Sequence, residues 1–72
     1  MTEEILSQAI AWGFLCEIDS SGSWLIQPQN KTCRWLLQQV GERWVLSVGN
    51  VPQINFLPKD ALTFLEWRRE KS

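Results

Sequence analysis

The spacing of apolar residues changes twice along this chain, from a helical period to an alternating one and then back. Residues 2–12 carry apolar side chains at the three- and four-residue steps of an amphipathic helix. Thr2 suits the N-cap of this helix, and Gly13 suits the left-handed position that ends many helices. We therefore expect an N-terminal helix that leaves Trp12 at the edge of its buried face. The residues of that face are Ile5, Leu6, Ala9 and Ile10.

Strand-like alternation begins after this helix and indicates a first β-hairpin over residues 14–26. Apolar side chains occupy every second position on both sides of the polar loop 20–22. This loop places Gly22 third, where a three-residue hairpin loop needs a left-handed backbone. The register that follows pairs Ile18 with Trp24 and Cys16 with Ile26.

A second hairpin is predicted from strands at about 32–40 and 43–48, joined by the two-residue turn 41–42. In this register the large apolar residues of both strands fall on one face of the sheet. A slip by one residue would scatter them over both faces, so the pattern itself determines the register. The predicted pairs are Leu37–Leu46, Trp35–Val48 and Gln39–Trp44.

The connection to the next strand has two interpretations. A two-residue turn, 49–50, would put Gln53 and Asn55 on the apolar face. A three-residue loop, 49–51, instead aligns apolar residues across the two strands. We therefore expect the longer loop, with Pro52 near the start of an edge strand that tolerates its missing donor. The aligned pairs are Leu46–Ile54 and Trp44–Phe56.

The helical period returns over residues 58–71 and predicts a C-terminal helix. Pro58 suits the first helical position, and Asp60 in the first turn matches the positive end of the helix dipole. Trp67 projects roughly opposite the apolar stripe of this helix, and Phe64 lies on the flank of the stripe. The stripe itself consists of Ala61, Leu62 and Leu65.

A single domain, residues 1–72, follows from the length and from the order helix, strands, helix. Two amphipathic helices need an apolar surface, and one face of an antiparallel meander of four or five strands supplies it. The expected fold class is therefore α+β, a two-layer sandwich with the N-terminal and C-terminal helices on one sheet face. That face carries Phe14, Ile18, Trp24, Ile26, Trp35, Leu37, Trp44, Leu46, Ile54 and Phe56.

The residue types limit the chemistry that this small protein can perform. Five tryptophans supply large surfaces for packing, whereas the absence of histidine removes the usual acid–base group and the commonest metal ligand. The sequence has no glycine-rich phosphate loop and no strand-elbow serine. Glu17 and Asp19 share a strand face, which a solvated hairpin explains. We expect no enzyme activity, no cofactor, no metal and no small-molecule substrate.

Charge and cysteine content indicate the setting of the protein. A net charge of −1 offers no platform for a nucleic-acid backbone. Cys16 and Cys33 map to the core face, where a free thiol behaves as a small hydrophobic group rather than as half of a redox pair. The acidic start of the chain differs from a signal peptide, and no apolar run is long enough to span a membrane. We expect a cytoplasmic protein without a membrane partner.

Two surfaces remain as candidates for contact with another protein. The first is the sheet face turned away from the helices. Its apolar residues either are exposed singly, which a solvated sheet tolerates, or adjoin across neighbouring strands and form a contiguous contact patch. The second is Trp67, because tryptophan is enriched in binding hot spots. The alternative to a contact role is that Trp67 covers the sheet edge, or that the helix is rotated from the orientation that its apolar stripe predicts. The candidate contact residues are Leu15, Leu25, Leu36, Val45 and Trp67.

Three stretches of the second half are RWLL at 34–37, GERWVL at 41–46 and PKDALTFLE at 58–66. Together they resemble the small uncharacterised proteins of cyanobacterial genomes. The resemblance implies a cytoplasmic protein of accessory role with no catalytic residues to carry over.

The leading functional hypothesis is a non-enzymatic protein–protein interaction module, acting as a homo-oligomer or as an adaptor on a larger partner. It would use the helix-free sheet face and the C-terminal helix. The alternative is a small regulator that contacts nucleic acid through Lys31, Arg34, Arg43 and the basic helix end at 68–71.

Overall fold

The computed structural model describes residues 2–30 and 32–69, and for Thr2 only the backbone. It confirms the α+β class: two helices flank a five-stranded antiparallel meander in which each strand pairs with the next along the chain. The elements are α1 (Thr2–Ala11), β1 (Leu15–Ile18), β2 (Trp24–Gln27), β3 (Trp35–Val40), β4 (Arg43–Val48), β5 (Val51–Phe56) and α2 (Pro58–Arg68).

Helix α1 ends as its sequence predicts. Gly13 takes a left-handed φ of 92°, and its N–H donates to the carbonyl oxygen of Ile10 at 3.0 Å. The N–H of Phe14 donates to the carbonyl oxygen of Ala9 at 2.8 Å, which completes a Schellman motif. Phe14 is buried, so the end of the helix is closed by backbone hydrogen bonds and by packing together. The N-cap expected at Thr2 depends on a side chain outside the described residues.

The first hairpin has the predicted loop and register. Ile18 pairs with Trp24 and Cys16 with Ile26. The N–H of Asp19 donates to the carbonyl oxygen of Ser23 at 2.9 Å. Gly22 has a φ of 90°, the left-handed conformation that its position in the loop requires.

The third strand begins later than the alternation predicts, at Trp35 rather than near residue 32. Local hydrogen bonds precede it: Asn30 Oδ1 accepts hydrogen bonds from the Thr32 N–H at 3.0 Å and the Thr32 hydroxyl at 2.8 Å. The N–H of Cys33 also donates to the carbonyl oxygen of Asn30. These local bonds compete with the sheet ladder and delay the strand.

The second hairpin confirms the predicted register in full. Gly41, with a φ of 62°, is the first residue of the two-residue turn. The observed pairs include Leu37–Leu46, Trp35–Val48 and Gln39–Trp44.

The turn between β4 and β5 corrects one expectation and confirms another. The turn has two residues, Gly49 and Asn50, both left-handed, and not the three that we expected. The apolar alignment nevertheless holds, because Gln53 is an extra residue that forms a β-bulge and moves the following residues into register. Beyond the bulge Leu46 pairs with Ile54 and Trp44 with Phe56.

Both helices pack on one face of the sheet and enclose the hydrophobic core. The two helices contact each other, α1 also contacts β1, and α2 contacts β4 and β5. Aromatic rings join the layers: Trp35 packs edge-to-face on Phe14 at 5.5 Å and on Phe64 at 5.1 Å between centroids. The buried hydrophobic residues that form this core are Ile5, Ala9, Phe14, Ile26, Trp35, Leu37, Trp44, Leu46, Ala61 and Leu65.

Three residues expected in this core are exposed instead. Ile18 is 57% exposed and Ile54 48%, because each lies on an edge strand with a neighbouring strand on one side only. Ile10 is 63% exposed, because it lies about 100° further round the helix than the fully buried Ala9. The buried stripe of α1 is thus narrower than its apolar pattern.

Candidate contact surface on the helix-free sheet face

The helix-free face of the sheet is formed by the strand residues that alternate with the buried ones. Leu25, Leu36 and Val45 lie on this face and are half-buried, whereas Leu15 is exposed. Neither described helix covers them, so their partial burial comes from neighbouring side chains of the sheet. The structure therefore places four of the five sequence-predicted contact residues on one surface.

These four residues do not lie directly opposite one another. Cross-strand partners on this face are polar: Leu15 pairs with Gln27, and Leu36 with Ser47. Leu25 and Val45 both lie opposite Gln38, one on each side of β3. The apolar residues instead adjoin along diagonals, at a distance that long side chains can bridge. The face is a zigzag of apolar side chains with polar groups between them, and we call it the zigzag face.

Hydrogen bonds fix the polar groups that separate the apolar ones. Gln27 Nε2 donates to Glu17 Oε2 at 3.3 Å, and Gln38 Nε2 donates to Asp19 Oδ2 at 3.1 Å. Two of the amide side chains on this face are thereby engaged with carboxylates of the first hairpin. Val40, 54% exposed at the end of β3, extends the apolar surface beyond the four predicted residues.

Trp67 lies on a different surface from the other four candidates. Its side chain is 74% exposed on α2, as its position opposite the apolar stripe predicts. Helix α2 packs on the face of the sheet that carries Trp44 and Leu46, which is the side opposite Leu36. A flat partner on the zigzag face would not reach Trp67.

The arginines that the nucleic-acid hypothesis invokes lie in two places, beside the strands and at the end of α2. Arg34 and Arg43 are exposed, while the neighbouring Trp35 and Trp44 are buried, as strand alternation predicts. Nucleic-acid bases could not stack on those two rings. Two arginines at the end of α2 lie over rings, Arg68 over Phe64 at 5.6 Å and Arg69 over Trp12 at 5.2 Å. Lys31 and residues 70–71 lie outside the described part of the chain.

Both cysteines are free thiols that pack against the hydrophobic core, as their place on the core face predicts, and both are half-buried. Cys16 lies on edge strand β1, and Cys33 lies in the turn before β3, so neither is enclosed by sheet on both sides. Burial raises the pKa of the Cys16 thiol. A raised pKa lowers the thiolate fraction at neutral pH and makes this thiol a weaker nucleophile.

Two large surface depressions lie in the described part of the chain, one at the start of the helices and one beside Leu36. The larger, of about 790 Å³, lies where the first turns of both helices meet the β3–β4 turn, and Glu3, Glu42 and Arg43 contribute its charges. The second, of about 440 Å³, is bordered by Leu36 and Trp35. Among residues 2–30 and 32–69, no group of three or more potential metal ligands is found.

Comparison with protein-family models, with curated proteins and with solved structures finds no match to this chain. Within the described part of the chain, neither helix has the length and apolar character needed to cross a membrane.

Proposed function

We propose that this chain is a non-enzymatic protein–protein interaction module that acts through the zigzag face. The observation that carries the proposal is the one-sided sheet: both helices cover the face of Trp44, and the opposite face presents Leu25, Leu36 and Val45 without a helix over them. Apolar groups flanked by polar ones are the usual composition of a protein contact surface.

The charges around the zigzag face favour a second copy of the chain as the occupant. Glu17 lies on β1, near one side of the sheet, and Arg43 lies on β4, near the other side. Both residues are exposed. Two sheets stacked face to face about a two-fold axis that runs along β3 bring the acidic side of one copy towards the basic side of the other. An adaptor that binds a larger protein with the same face is the second form of this function.

Trp67 provides a separate contact point for a partner that engages the helix layer. Its exposure on α2 supports this role independently of the zigzag face. The setting that we propose is the cytoplasm, because the two free cysteines fit a reducing compartment.

Leu36→Lys tests the proposal most simply, because it places a charge in the middle strand of the zigzag face. Lysine can extend its ammonium into water from a half-buried strand position, so the monomer is expected to fold. Ile10→Lys is the matched control, since it adds the same charge at an exposed apolar residue of the helix layer. Circular dichroism checks the fold of both variants.

Sedimentation velocity over a range of concentrations measures the outcome. We expect Leu36→Lys to abolish self-association and Ile10→Lys to leave it intact. If the wild-type chain is monomeric, pull-down with a foreign partner replaces sedimentation, and the same two variants are compared. Salt-dependent binding to nucleic acid that requires Arg34 and Arg43 would support the regulator hypothesis instead. If Leu36→Lys retains both self-association and binding of a foreign partner, the zigzag face is excluded as the contact surface.

A further inference from the structure

The two edges of the sheet differ in the backbone groups that they leave unpaired. In the first hairpin Asp19 and Ser23 are a hydrogen-bonded pair, with the Asp19 N–H donating to the Ser23 carbonyl at 2.9 Å. Hydrogen-bonded and non-hydrogen-bonded pairs alternate along an antiparallel ladder. The N–H and C=O groups of Cys16 and Ile18 therefore face away from β2, and no other described residue takes them up.

On the opposite edge, β5, the row of outward-facing backbone N–H and C=O groups is irregular. Val48 and Val51 close the two-residue turn as a hydrogen-bonded pair, so Pro52 directs its backbone away from β4. Proline has no N–H to donate. The bulge at Gln53 then makes Asn55 the next residue that faces outward, three positions after Pro52. A regular partner strand presents its backbone hydrogen-bonding groups at every second residue. The three-residue spacing on β5 does not match that repeat, so a partner strand cannot pair with β5 at both positions.

The β1 edge is regular, and its side chains are accessible. Leu15, Glu17 and Ile18 are exposed and Cys16 is half-buried. Outward-facing groups two residues apart are the arrangement that an added strand requires. Of the two edges, β1 is the one at which a sixth strand, supplied by a partner, can continue the ladder.

Glu17 disfavours the pairing of a second copy of the chain with this edge. The only antiparallel self-pairing that uses the groups of both Cys16 and Ile18 places Glu17 opposite Glu17 of the other copy. That pair is non-hydrogen-bonded, the kind in which side chains approach most closely, so the like charges repel. Glu17 Oε2 accepts a hydrogen bond from Gln27, while Oε1 accepts none from the described residues.

We propose that the β1 edge binds an extended segment of a partner protein in which lysine or arginine faces Glu17 and apolar residues face Cys16 and Ile18. The backbone groups of Cys16 and Ile18 supply the hydrogen bonds of the added strand. The Glu17 carboxylate selects the charge of the central residue. This site lies at the side of the sheet and shares the Glu17 side chain with the zigzag face, while its backbone groups belong to the edge alone.

Two synthetic peptides of alternating sequence test the proposal, one with a Val-Lys-Val centre and the other with a Val-Glu-Val centre. Calorimetry measures their affinities, and hydrogen exchange measures the protection of the Cys16 and Ile18 amides. We expect the lysine peptide to bind about tenfold more tightly, the combined effect of one attractive and one repulsive cross-strand pair. Equal affinities, or protection of amides elsewhere in the sheet, would overturn the proposal.

Glu17→Lys should reverse the preference, so that the glutamate peptide binds more tightly. Ile18→Pro removes one outward N–H without removing a β1–β2 ladder bond, and it should lower the affinity of the lysine peptide. Asn55→Pro is the matched control, because it removes an outward N–H on the β5 edge. A variant is used only if circular dichroism shows the wild-type fold. Binding unchanged in both Glu17→Lys and Ile18→Pro would contradict the proposal, whatever Leu36→Lys does to association.

Discussion

A single carboxylate, that of Asp19, organises the loop of the first hairpin. Its Oδ1 accepts hydrogen bonds from the Ser21 N–H at 2.9 Å, the Ser21 hydroxyl at 2.7 Å and the Ser23 N–H at 2.9 Å. Hydrogen bonds from Ser21 and Ser23 hold the pKa of the Asp19 carboxyl below its ordinary value. The loop therefore depends on the charged form of this residue.

Acidification should destabilise the wild-type protein through Asp19. Because the folded-state pKa lies below the ordinary value of about 3.9, the stabilisation is complete above that pH and is lost as the pH falls through the folded-state pKa. Asp19→Asn should lower the melting temperature at pH 7 and remove this part of the acid dependence. Melting curves of both proteins between about pH 2 and pH 7 measure it. Parallel pH profiles for the two proteins would show that the carboxylate does not act through its charge.

Trp35 carries a polar group that the core leaves without a partner. Its Nε1 is buried and has no hydrogen bond, while its ring packs on Phe14 and Phe64. An unsatisfied buried donor costs about 1–3 kcal/mol. Trp44 is buried to a similar degree but carries no such orphaned group.

Trp35→Phe should consequently destabilise the fold less than Trp44→Phe. Both changes remove part of an indole from the core, but only the first also removes an unsatisfied donor. We expect a difference of about 1 kcal/mol in the free energy of unfolding, measured by urea denaturation. A larger loss for Trp35→Phe would mean that its N–H is stabilised by the facing rings.

At the scale of the elements, the β4–β5 hairpin shows what alternation can and cannot determine. The pairs Leu46–Ile54 and Trp44–Phe56 were predictable, because a slip of one residue would turn Ile54 and Phe56 to the face opposite Leu46 and Trp44. The position of the extra residue was not, since a longer loop and a bulge at Gln53 give the same pairs. Two left-handed residues, Gly49 and Asn50, favour the tight turn, and the bulge restores the register.

Asn50 is the residue of this turn whose substitution is most informative. Its φ of 69° is left-handed, which glycine adopts freely and residues with an ordinary Cβ do not. Asn50→Ala should cost about 1 kcal/mol of stability, whereas Asn50→Gly should be close to neutral. Urea denaturation of the two variants gives the comparison. Equal stability of the alanine and glycine variants would contradict the turn geometry.

For the zigzag face, too, alternation determines which residues share the face but not how all of them are arranged across the strands. Alternation alone assigns Leu25, Leu36 and Val45 to the face opposite the core, because their neighbours in sequence are the buried residues. The diagonal between Leu36 and Val45 follows from the predicted β3–β4 register. The place of Leu25 beside Leu36 depends instead on the offset between β2 and β3, for which the sequence pattern predicted no register. The exposure of Ile18 and Ile54 follows from their place on the two edge strands, where a neighbouring strand lies on one side only.

At the scale of the whole molecule, the two sides of the sheet have different roles. One side and the two helices contain every buried residue of the hydrophobic core among those described. The other side presents apolar groups that contribute little to that core, centred on Leu36. A fold that completes its core on one face is free to use the other face for contact, which is the central claim of the proposed function.

Nuclear magnetic resonance on a mixture of isotope-labelled and unlabelled chains tests that claim most directly. Isotope-filtered spectra detect only contacts between different copies. The proposed function predicts intermolecular contacts from the methyl groups of Leu25, Leu36 and Val45. Intermolecular contacts confined to Ile10 or Trp67 on the helix layer would contradict it.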